Sequence, residues 1–132
     1  MNLRTGVDLI EISRVKLAVE RHGERFLQRI YTPAEQQLCD KNYASLAARF
    51  AAKEAVAKAL GCGLGDISWA EIEVLREPSG APALRLYGKA RQMAKDLELT
   101  DWAISLSHTR EYAIAQVVAS STQPTLRGYC EG

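Results

Sequence analysis

The sequence is poor in the residues that build disulfide frameworks and transition-metal sites. Among 132 residues there are only three cysteines and two histidines. Cys39, Cys62 and Cys130 are widely spaced and form no Cys-X-X-Cys pair, so a disulfide framework or a zinc site is not expected. His22 and His108 stand far apart, which argues against a histidine-rich metal site. Any metal would have to be held by carboxylates, which favours a hard cation such as magnesium.

An excess of charge of one sign and a long apolar run are also missing. The 17 basic and 16 acidic residues leave a formal net charge of +1, which argues against a protein that coats nucleic acid through bulk charge. No apolar run approaches the roughly 20 residues that span a bilayer. The first twelve residues carry an arginine and then acidic residues, so a secretory signal is not expected. A single globular domain in the cytoplasm is the expectation.

The first half of the chain contains one predicted strand and several predicted helices. Apolar and polar residues alternate over residues 3–10, which predicts a strand, and Gly6 within it indicates the close approach of another backbone or a ligand. Ser13 is the predicted N-cap of a helix over residues 14–21 that ends at Gly23. The Thr32-Pro33-Ala34-Glu35 segment has the pattern of a capping box, and it predicts a helix over residues 33–40.

A longer helix is predicted over residues 43–60, followed by a second half of mixed character. Alanines dominate this helix and Gly61 supplies its end. Strands are then predicted around residues 72–74, 84–87, 102–107 and 112–118, with a helix over residues 89–97. Strands at both ends with helices between them indicate one α+β domain over residues 1–119. Residues 120–132 have no periodicity and form a tail that we expect to be mobile.

The long helix carries the most informative charged residues. Lys53 falls within an apolar stripe, where a lysine ordinarily extends its amine to water. Glu54 and Lys58 are four residues apart and on spacing alone form an ordinary solvated helical pair. The seven alanines between Ala47 and Ala59 would nevertheless let a ligand approach closely. The glycines at 61, 63 and 65 offer backbone N–H groups of the kind that contact phosphate.

Two polar residues outside this helix stand out by position. Asp8 follows Gly6 and lies on the opposite strand face from Val7, although an aspartate near a strand end commonly caps a turn. His108 lies near a predicted hairpin tip, where it is either simply exposed or part of a phosphate site. No Gly-X-Ser-X-Gly motif is present, so an acyl hydrolase has little support.

Five blocks taken together resemble the holo-[acyl-carrier-protein] synthase family, the small phosphopantetheinyl transferases. In order they are GVDLIEI at 6–12, RIYTPAE at 29–35, RFAAKEAVAKALG at 49–61, SGAP at 79–82 and SLSHT at 105–109. The resemblance covers about residues 3–119. It implies the fold of that family, an antiparallel sheet packed with a long central helix, and the assembly of a homotrimer with sites between subunits.

The resemblance also implies a reaction and the residues that perform it. The family transfers 4′-phosphopantetheine from coenzyme A to a serine of apo acyl carrier protein, with Mg²⁺ as cofactor and adenosine 3′,5′-bisphosphate as the other product. Asp8 and Glu54 would be the magnesium ligands, and Lys58 would contact the pyrophosphate and stabilise transition-state charge. Either Glu54 or a metal-bound water would take the serine proton. The remaining coenzyme A contacts would be Arg49, Gly61, Gly80, Pro82 and His108.

The first helix is where the resemblance places carrier docking. Arg14 and Arg21 share a face, and Arg25 would join them if the helix continued past Gly23. Such a ridge would otherwise be an ordinary solvated basic face, but acyl carrier proteins are acidic and would be steered by it. Cys62 departs from the family pattern, which often has a small polar residue such as threonine there.

Two other functions are compatible with parts of the sequence. One is a non-enzymatic carrier- or nucleotide-binding module with the same fold, against which the presence of Asp8, Glu54 and Lys58 argues. The other is a nucleic-acid-binding domain that uses the basic first helix. The nearly neutral charge and the absence of an aromatic-rich basic strand argue against that domain.

Overall fold

One long helix lies at the centre of the computed structural model, which describes residues 2–121, and the strands and shorter helices pack around it. The strands are β1 Leu3–Glu11, β2 Ile72–Arg76, β3 Pro82–Leu86, β4 Asp101–His108 and β5 Tyr112–Ser120. The helices are α1 Ile12–His22, α2 Glu24–Ile30, α3 Pro33–Cys39, α4 Tyr43–Leu60 and α5 Gly88–Asp96, and a single 3₁₀ turn covers Trp69–Glu71. Among residues 2–121, no helix combines the length and apolar character needed to cross a membrane.

The strands form two antiparallel sheets, which confirms the predicted α+β class. The larger sheet has the order β1-β5-β4, and β2 pairs with β3 in a separate hairpin. β1 pairs with β5 from Leu3 opposite Ser120 to Glu11 opposite Tyr112. Helix α4 packs against β1 and β5 on one side and against β2 on another. The core therefore surrounds α4, which is the only described helix of 18 residues.

The close approach predicted at Gly6 is confirmed. A Cβ atom on this residue would lie 1.9 Å from the carbonyl oxygen of Ala55 and 3.2 Å from the amide nitrogen of Ala59. Real Cβ atoms do not approach backbone so closely, because atoms in packed interiors stay at van der Waals distance. Glycine at this position therefore sets how near β1 and α4 can lie.

The local signals at the start of α3 and at the end of α4 are also confirmed, and α4 has the predicted bounds of residues 43–60. The Thr32 hydroxyl accepts a hydrogen bond from the Glu35 amide at 3.2 Å, and the Glu35 carboxylate accepts one from the Thr32 amide at 2.9 Å. Helix α4 begins after Asn42, whose side chain accepts from the Ser45 amide at 2.9 Å. It ends at Gly61, whose φ of 78° is the left-handed conformation that glycine adopts readily.

Three local predictions differ from the structure. The predicted N-cap at Ser13 is wrong, because α1 begins at Ile12 after Glu11 and has no side-chain cap. Helix α2 was not predicted, since its N-cap is Gly23, which has no side chain to provide a recognisable capping pattern. Strand β5 runs to Ser120, and the Asn2 amide donates to Ser121 Oγ at 2.9 Å. Residues 122–132 of the predicted tail lie outside the described residues.

One face of the larger sheet carries large apolar side chains that face away from α4. Leu3, Val7 and Leu9 are 60%, 52% and 60% exposed, and Ile114 lies directly opposite Leu9 in the register. The alternate residues Gly6 and Ile10 are buried against the core. A contiguous exposed apolar face of this kind is typical of a surface that another protein covers.

We predict that Gly6→Ala destabilises the protein by about 3 kcal/mol, because its Cβ would push β1 away from the backbone of α4. Urea unfolding measures this change. Gly65→Ala is the matched control, since nothing lies within 4 Å of a Cβ at Gly65, and its effect should stay within about 0.5 kcal/mol. Equal effects of the two substitutions would contradict the close packing of β1 on α4.

Candidate active site

Asp8, Glu54 and Lys58 come together where β1 crosses the C-terminal half of α4. Asp8 lies on the inner face of β1, and the Lys58 Nζ is 3.3 Å from its Oδ1 and 2.9 Å from the Val7 carbonyl oxygen. Lys58 therefore pairs across the fold with Asp8. Lys58 also acts on Glu54 along the helix, so the predicted helical pair is accompanied by the contact with Asp8. Gly6 makes this cluster possible, because it brings β1 close enough for both elements to share it.

The electrostatics of the cluster favour a bound cation. Burial raises the pKa of the Glu54 carboxyl, the negative charge of Asp8 raises it further, and Lys58 lowers it. Two carboxylates that disfavour each other's charge are stabilised by a cation between them. Across residues 2–121, no group of three or more histidine, cysteine, aspartate and glutamate side chains has the arrangement of a metal site. Two carboxylates suit magnesium, which keeps several waters and takes only one or two protein carboxylates beside substrate phosphates.

The backbone after α4 is less open than the glycine pattern suggests. The Gly61 amide donates to the Lys58 carbonyl at 3.0 Å, the Cys62 amide to Ala57 at 3.0 Å, and the Gly63 amide to the Asp66 carboxylate at 3.2 Å. The interpretation that the amides of Gly61 and Gly63 are open to phosphate is therefore wrong. What Gly61 provides is a tight end to α4 directly after Lys58.

Arg4 is a charged residue of this region that the sequence reasoning missed. Its Nε donates to the Ala59 carbonyl at 2.9 Å, and a Cβ on Gly61 would lie 2.8 Å from its Nη2. A cation at the C-terminus of a helix is favourable, because the carbonyl groups there carry partial negative charge. The alternation of residues along β1 could have predicted its position, because Arg4 shares the inner face of the strand with Gly6 and Asp8.

A cavity of about 490 Å³ lies beside the N-terminal half of α4 and contains four of the predicted coenzyme A contacts. These are Arg49, Gly80, Pro82 and His108. Polar residues that the sequence reasoning did not select also line it, namely Asn42, Ser45, Arg76, Ser105 and Ser107. They come from three separate segments of the chain, at residues 42–45, 76 and 105–107, so their spacing did not predict that they line one cavity.

The residues that line the cavity differ in how firmly the surrounding structure fixes them. Arg49 is only 4% exposed, and its Nε donates to the Val74 carbonyl at 3.1 Å while its Nη1 donates to Ser45 Oγ at 3.0 Å. Its guanidinium group is thus fixed at the cavity wall. His108 is exposed at the end of β4, and Gly80 has a φ of 94° in the turn between β2 and β3. The cavity combines a fixed cation with exposed polar groups, a donor set suited to phosphate.

The predicted residues fall into two groups on different sides of α4. Arg49 and Lys58 are nine positions apart, which corresponds to about 14 Å along the helix axis and about half a turn around it. Asp8, Glu54, Lys58 and Gly61 lie at the β1 side, whereas Arg49 lines the cavity with Gly80, Pro82 and His108. Within one chain the predicted site residues are thus separated both along α4 and around it.

Lys53 lies between these groups and does not reach water. The interpretation that it extends to solvent is wrong, because its side chain is 0% exposed and its Nζ is 2.7 Å from Glu35 Oε1. It also donates to the carbonyl groups of Trp69 and Ile72. Burial lowers the pKa of the Lys53 amine, and the neighbouring carboxylate of Glu35 opposes that effect.

The basic residues predicted for carrier docking are exposed, but they do not form one helical ridge. Arg14 and Arg21 lie on α1, and Leu17 between them on the same face is 46% exposed. Arg25 belongs to α2, because the chain turns at Gly23, where φ is 55°. The predicted end of the helix at Gly23 is confirmed, so the condition under which Arg25 would join the α1 face is not met. The surface of α1 is a basic stripe with an exposed apolar residue inside it.

Comparisons with known proteins agree on one family. Residues 4–117 match the family model of the 4′-phosphopantetheinyl transferase superfamily. A holo-[acyl-carrier-protein] synthase of Dehalococcoides mccartyi strain CBDB1 is 56% identical over 117 residues, which are 89% of this chain and 98% of that protein. The corresponding synthase of Herpetosiphon aurantiacus is 52% identical over 88% of this chain and 97% of that protein.

Solved structures give the same result. The Helicobacter pylori holo-[acyl-carrier-protein] synthase in complex with coenzyme A superposes with a TM-score of 0.81 at 34% identity, over 88% of this chain and 99% of that one. The synthase of Neisseria meningitidis superposes with a TM-score of 0.80 at 32% identity, over 89% and 98% of the two chains. The chain therefore belongs to the holo-[acyl-carrier-protein] synthase family of 4′-phosphopantetheinyl transferases.

Proposed function

We propose that the Asp8, Glu54 and Lys58 cluster carries out the reaction of this family in this chain. The reaction transfers 4′-phosphopantetheine from coenzyme A to a serine of apo acyl carrier protein and releases adenosine 3′,5′-bisphosphate. The observation that carries the assignment is the meeting of two carboxylates and one amine at the contact between β1 and α4, with 3.3 Å between Lys58 and Asp8. Phosphoryl transfer depends on such positioning and charge neutralisation more than on covalent chemistry.

Each residue of the cluster has a separate task in this scheme. Asp8 and Glu54 would hold Mg²⁺, which when bound supplies positive charge to the pyrophosphate oxygens. Lys58, exposed enough to turn from Asp8 toward substrate, contacts the pyrophosphate and neutralises charge on the leaving group. The Glu54 carboxylate, which lies beside both Asp8 and Lys58, would accept the serine hydroxyl proton.

The cavity supplies the binding energy for the rest of coenzyme A. Arg49 and His108 hold phosphate groups, and Gly80 and Pro82 shape the adenine side of the pocket. A volume of about 490 Å³ is in the range of small-molecule sites. Binding of these remote groups positions the pyrophosphate at the reacting end.

We propose further that two copies of the chain complete each site within a homotrimer. Arg49 and Lys58 lie about 14 Å apart along α4 and on different sides of it, which favours a site that a second copy completes. The exposed apolar face of the larger sheet, with Leu3, Val7, Leu9 and Ile114, provides a surface for association. Burial of that face supports association of copies of this chain.

The carrier protein docks on α1 in this proposal. Arg14 and Arg21 attract the acidic surface of the carrier, and the exposed Leu17 gives an apolar contact between them. Charges at the rim of an interface mainly accelerate association, and salt screens them. Arg25 adds positive charge from α2 at the edge of this surface.

We predict that the protein adds the mass of the phosphopantetheine arm to an apo acyl carrier protein in the presence of coenzyme A and magnesium, and that Glu54→Gln lowers the rate by about 100-fold or more. Mass spectrometry of the carrier measures both. Asp96→Asn removes a similar charge from the exposed surface of α5 and should retain activity. A wild-type protein that adds no mass would refute the proposed function.

We predict that mixing Glu54→Gln with His108→Ala restores part of the activity that each variant lacks. In a site shared by two copies, an intact Glu54 from one copy meets an intact His108 from the other. Exchange of subunits, followed by the transfer assay, measures this recovery. No recovery after demonstrated subunit exchange would place the whole site on one chain.

We predict that Arg14→Glu raises the KM for the carrier by about tenfold and leaves the KM for coenzyme A within about twofold. The difference from wild type should shrink as salt is added, because the charges are exposed. Lys95→Glu makes the same charge change on α5 and serves as the control. Equal increases of both KM values in Arg14→Glu would contradict docking on α1.

A further inference from the structure

Hydrogen bonds join α4 to its surroundings on the side that faces β2 and on the side that faces β1. Arg49 and Lys53 are four residues apart and lie on the β2 side, where they donate to the backbone of Val74 and of Trp69 and Ile72 respectively. Ala55 is two residues beyond Lys53, so it points about 200° away from it. The side of Ala55 faces β1 and Gly6.

The β1 side of α4 has hydrogen bonds too, but Lys58 makes two of them. Its Nζ lies 2.9 Å from the Val7 carbonyl oxygen and 3.3 Å from Asp8 Oδ1, and the Arg4 Nε donates to the Ala59 carbonyl at 2.9 Å. Lys58 gives up its bonds when it turns toward substrate in the proposed reaction. The packing of Gly6 against the backbone of Ala55 and Ala59 is non-directional. Most of the directional contacts that remain then lie on the β2 side.

The Lys53–Glu35 ion pair is the most highly connected group on the β2 side. The Lys53 amine has three acceptors, namely Glu35 Oε1 at 2.7 Å, the Trp69 carbonyl at 3.1 Å and the Ile72 carbonyl. Glu35 Oε2 accepts from the Val74 amide at 2.7 Å. Its Oε1 also accepts from the Thr32 amide at 2.9 Å. Because the Lys53 Nζ has three acceptors, a displacement of this atom weakens at least one of these hydrogen bonds.

We infer that the Lys53–Glu35 pair is a positioning device, which fixes the rotation of α4 so that Glu54 and Lys58 face Asp8. The inference rests on the proposed function of those three residues. A carboxylate lies about 6 Å from the helix axis, so a rotation of about 10° moves it by about 1 Å. A displacement of about 1 Å at a reacting centre can cost about 100-fold in rate.

The ion pair is a costly means of stabilising the fold, and this supports a positioning role. Two charges buried together lose their hydration, and their attraction often does no more than offset that loss. Apolar residues of similar size would hold α4 in the core as well. They would not define its rotation as directional bonds do.

The test compares two variants in which no charge is left buried alone. Glu35→Gln combined with Lys53→Met removes both charges, and Glu35→Asp keeps both but shortens the carboxylate arm by one methylene. We expect both to fold, with kcat lowered about tenfold or more in the double variant and less in Glu35→Asp. The amide resonances of Gly6 and Ala55 should also shift, because they report the contact between β1 and α4.

Leu99→Ala is the matched control, because it removes volume from the core just after α5, in a segment that contributes no residue to the pair or to β1. It should lower the melting temperature and leave kcat unchanged well below that temperature. A folded double variant with wild-type kcat would overturn the inference. So would a failure of both pair variants to fold, which would make the pair a determinant of folding. A wild-type enzyme without transfer activity would instead refute the proposed function on which the inference rests.

Discussion

The contact between Gly6 and the backbone of Ala55 is the constraint on which the rest of the structure depends. It lets β1 lie against α4 at a distance that any side chain would prevent. Because of that contact, Asp8 on β1 reaches Lys58 on α4 across a separation of 50 residues in the chain. The same contact buries the alanines of α4. The packing of the core therefore also sets the distance between the residues of the proposed reacting cluster.

Helix α4 then divides the functional residues by its own geometry. Its C-terminal half gives Glu54 and Lys58 to the β1 side, and its N-terminal half gives Arg49 to the cavity beside β4. Between them, Lys53 is bound to Glu35 and to the β2 backbone. The helix is therefore both the centre of the core and the frame that separates the two groups of predicted site residues, which two copies of the chain would join.

The sequence predicted best what depends on neighbouring residues. The capping box at Thr32 and Glu35 involves residues three positions apart, and the end of α4 follows from Gly61 directly after its last residue. Gly6 was recognisable because glycine within a strand needs a special reason. The family resemblance predicted the reaction class, because five blocks occur in order over most of the chain.

What depends on distant residues was predicted poorly. Lys53 was expected at the surface because its partner Glu35 lies 18 residues away and was already explained by the capping box. Lys58 was paired only with Glu54 along the helix, whereas it also contacts Asp8, which lies 50 residues away in the chain. The amides of Gly61 and Gly63 were expected to be open, but their acceptors are set by the turn after α4. In each case the position of the group depends on a partner that the local sequence pattern does not contain.

The most direct test of this account is a structure of the protein with coenzyme A and magnesium bound. We expect the pyrophosphate beside Asp8, Glu54 and Lys58 of one copy and the adenosine end in the cavity beside Arg49 and His108 of a neighbouring copy. A coenzyme A molecule whose two ends contact only one chain, or whose pyrophosphate lies away from Asp8 and Glu54, would contradict the account.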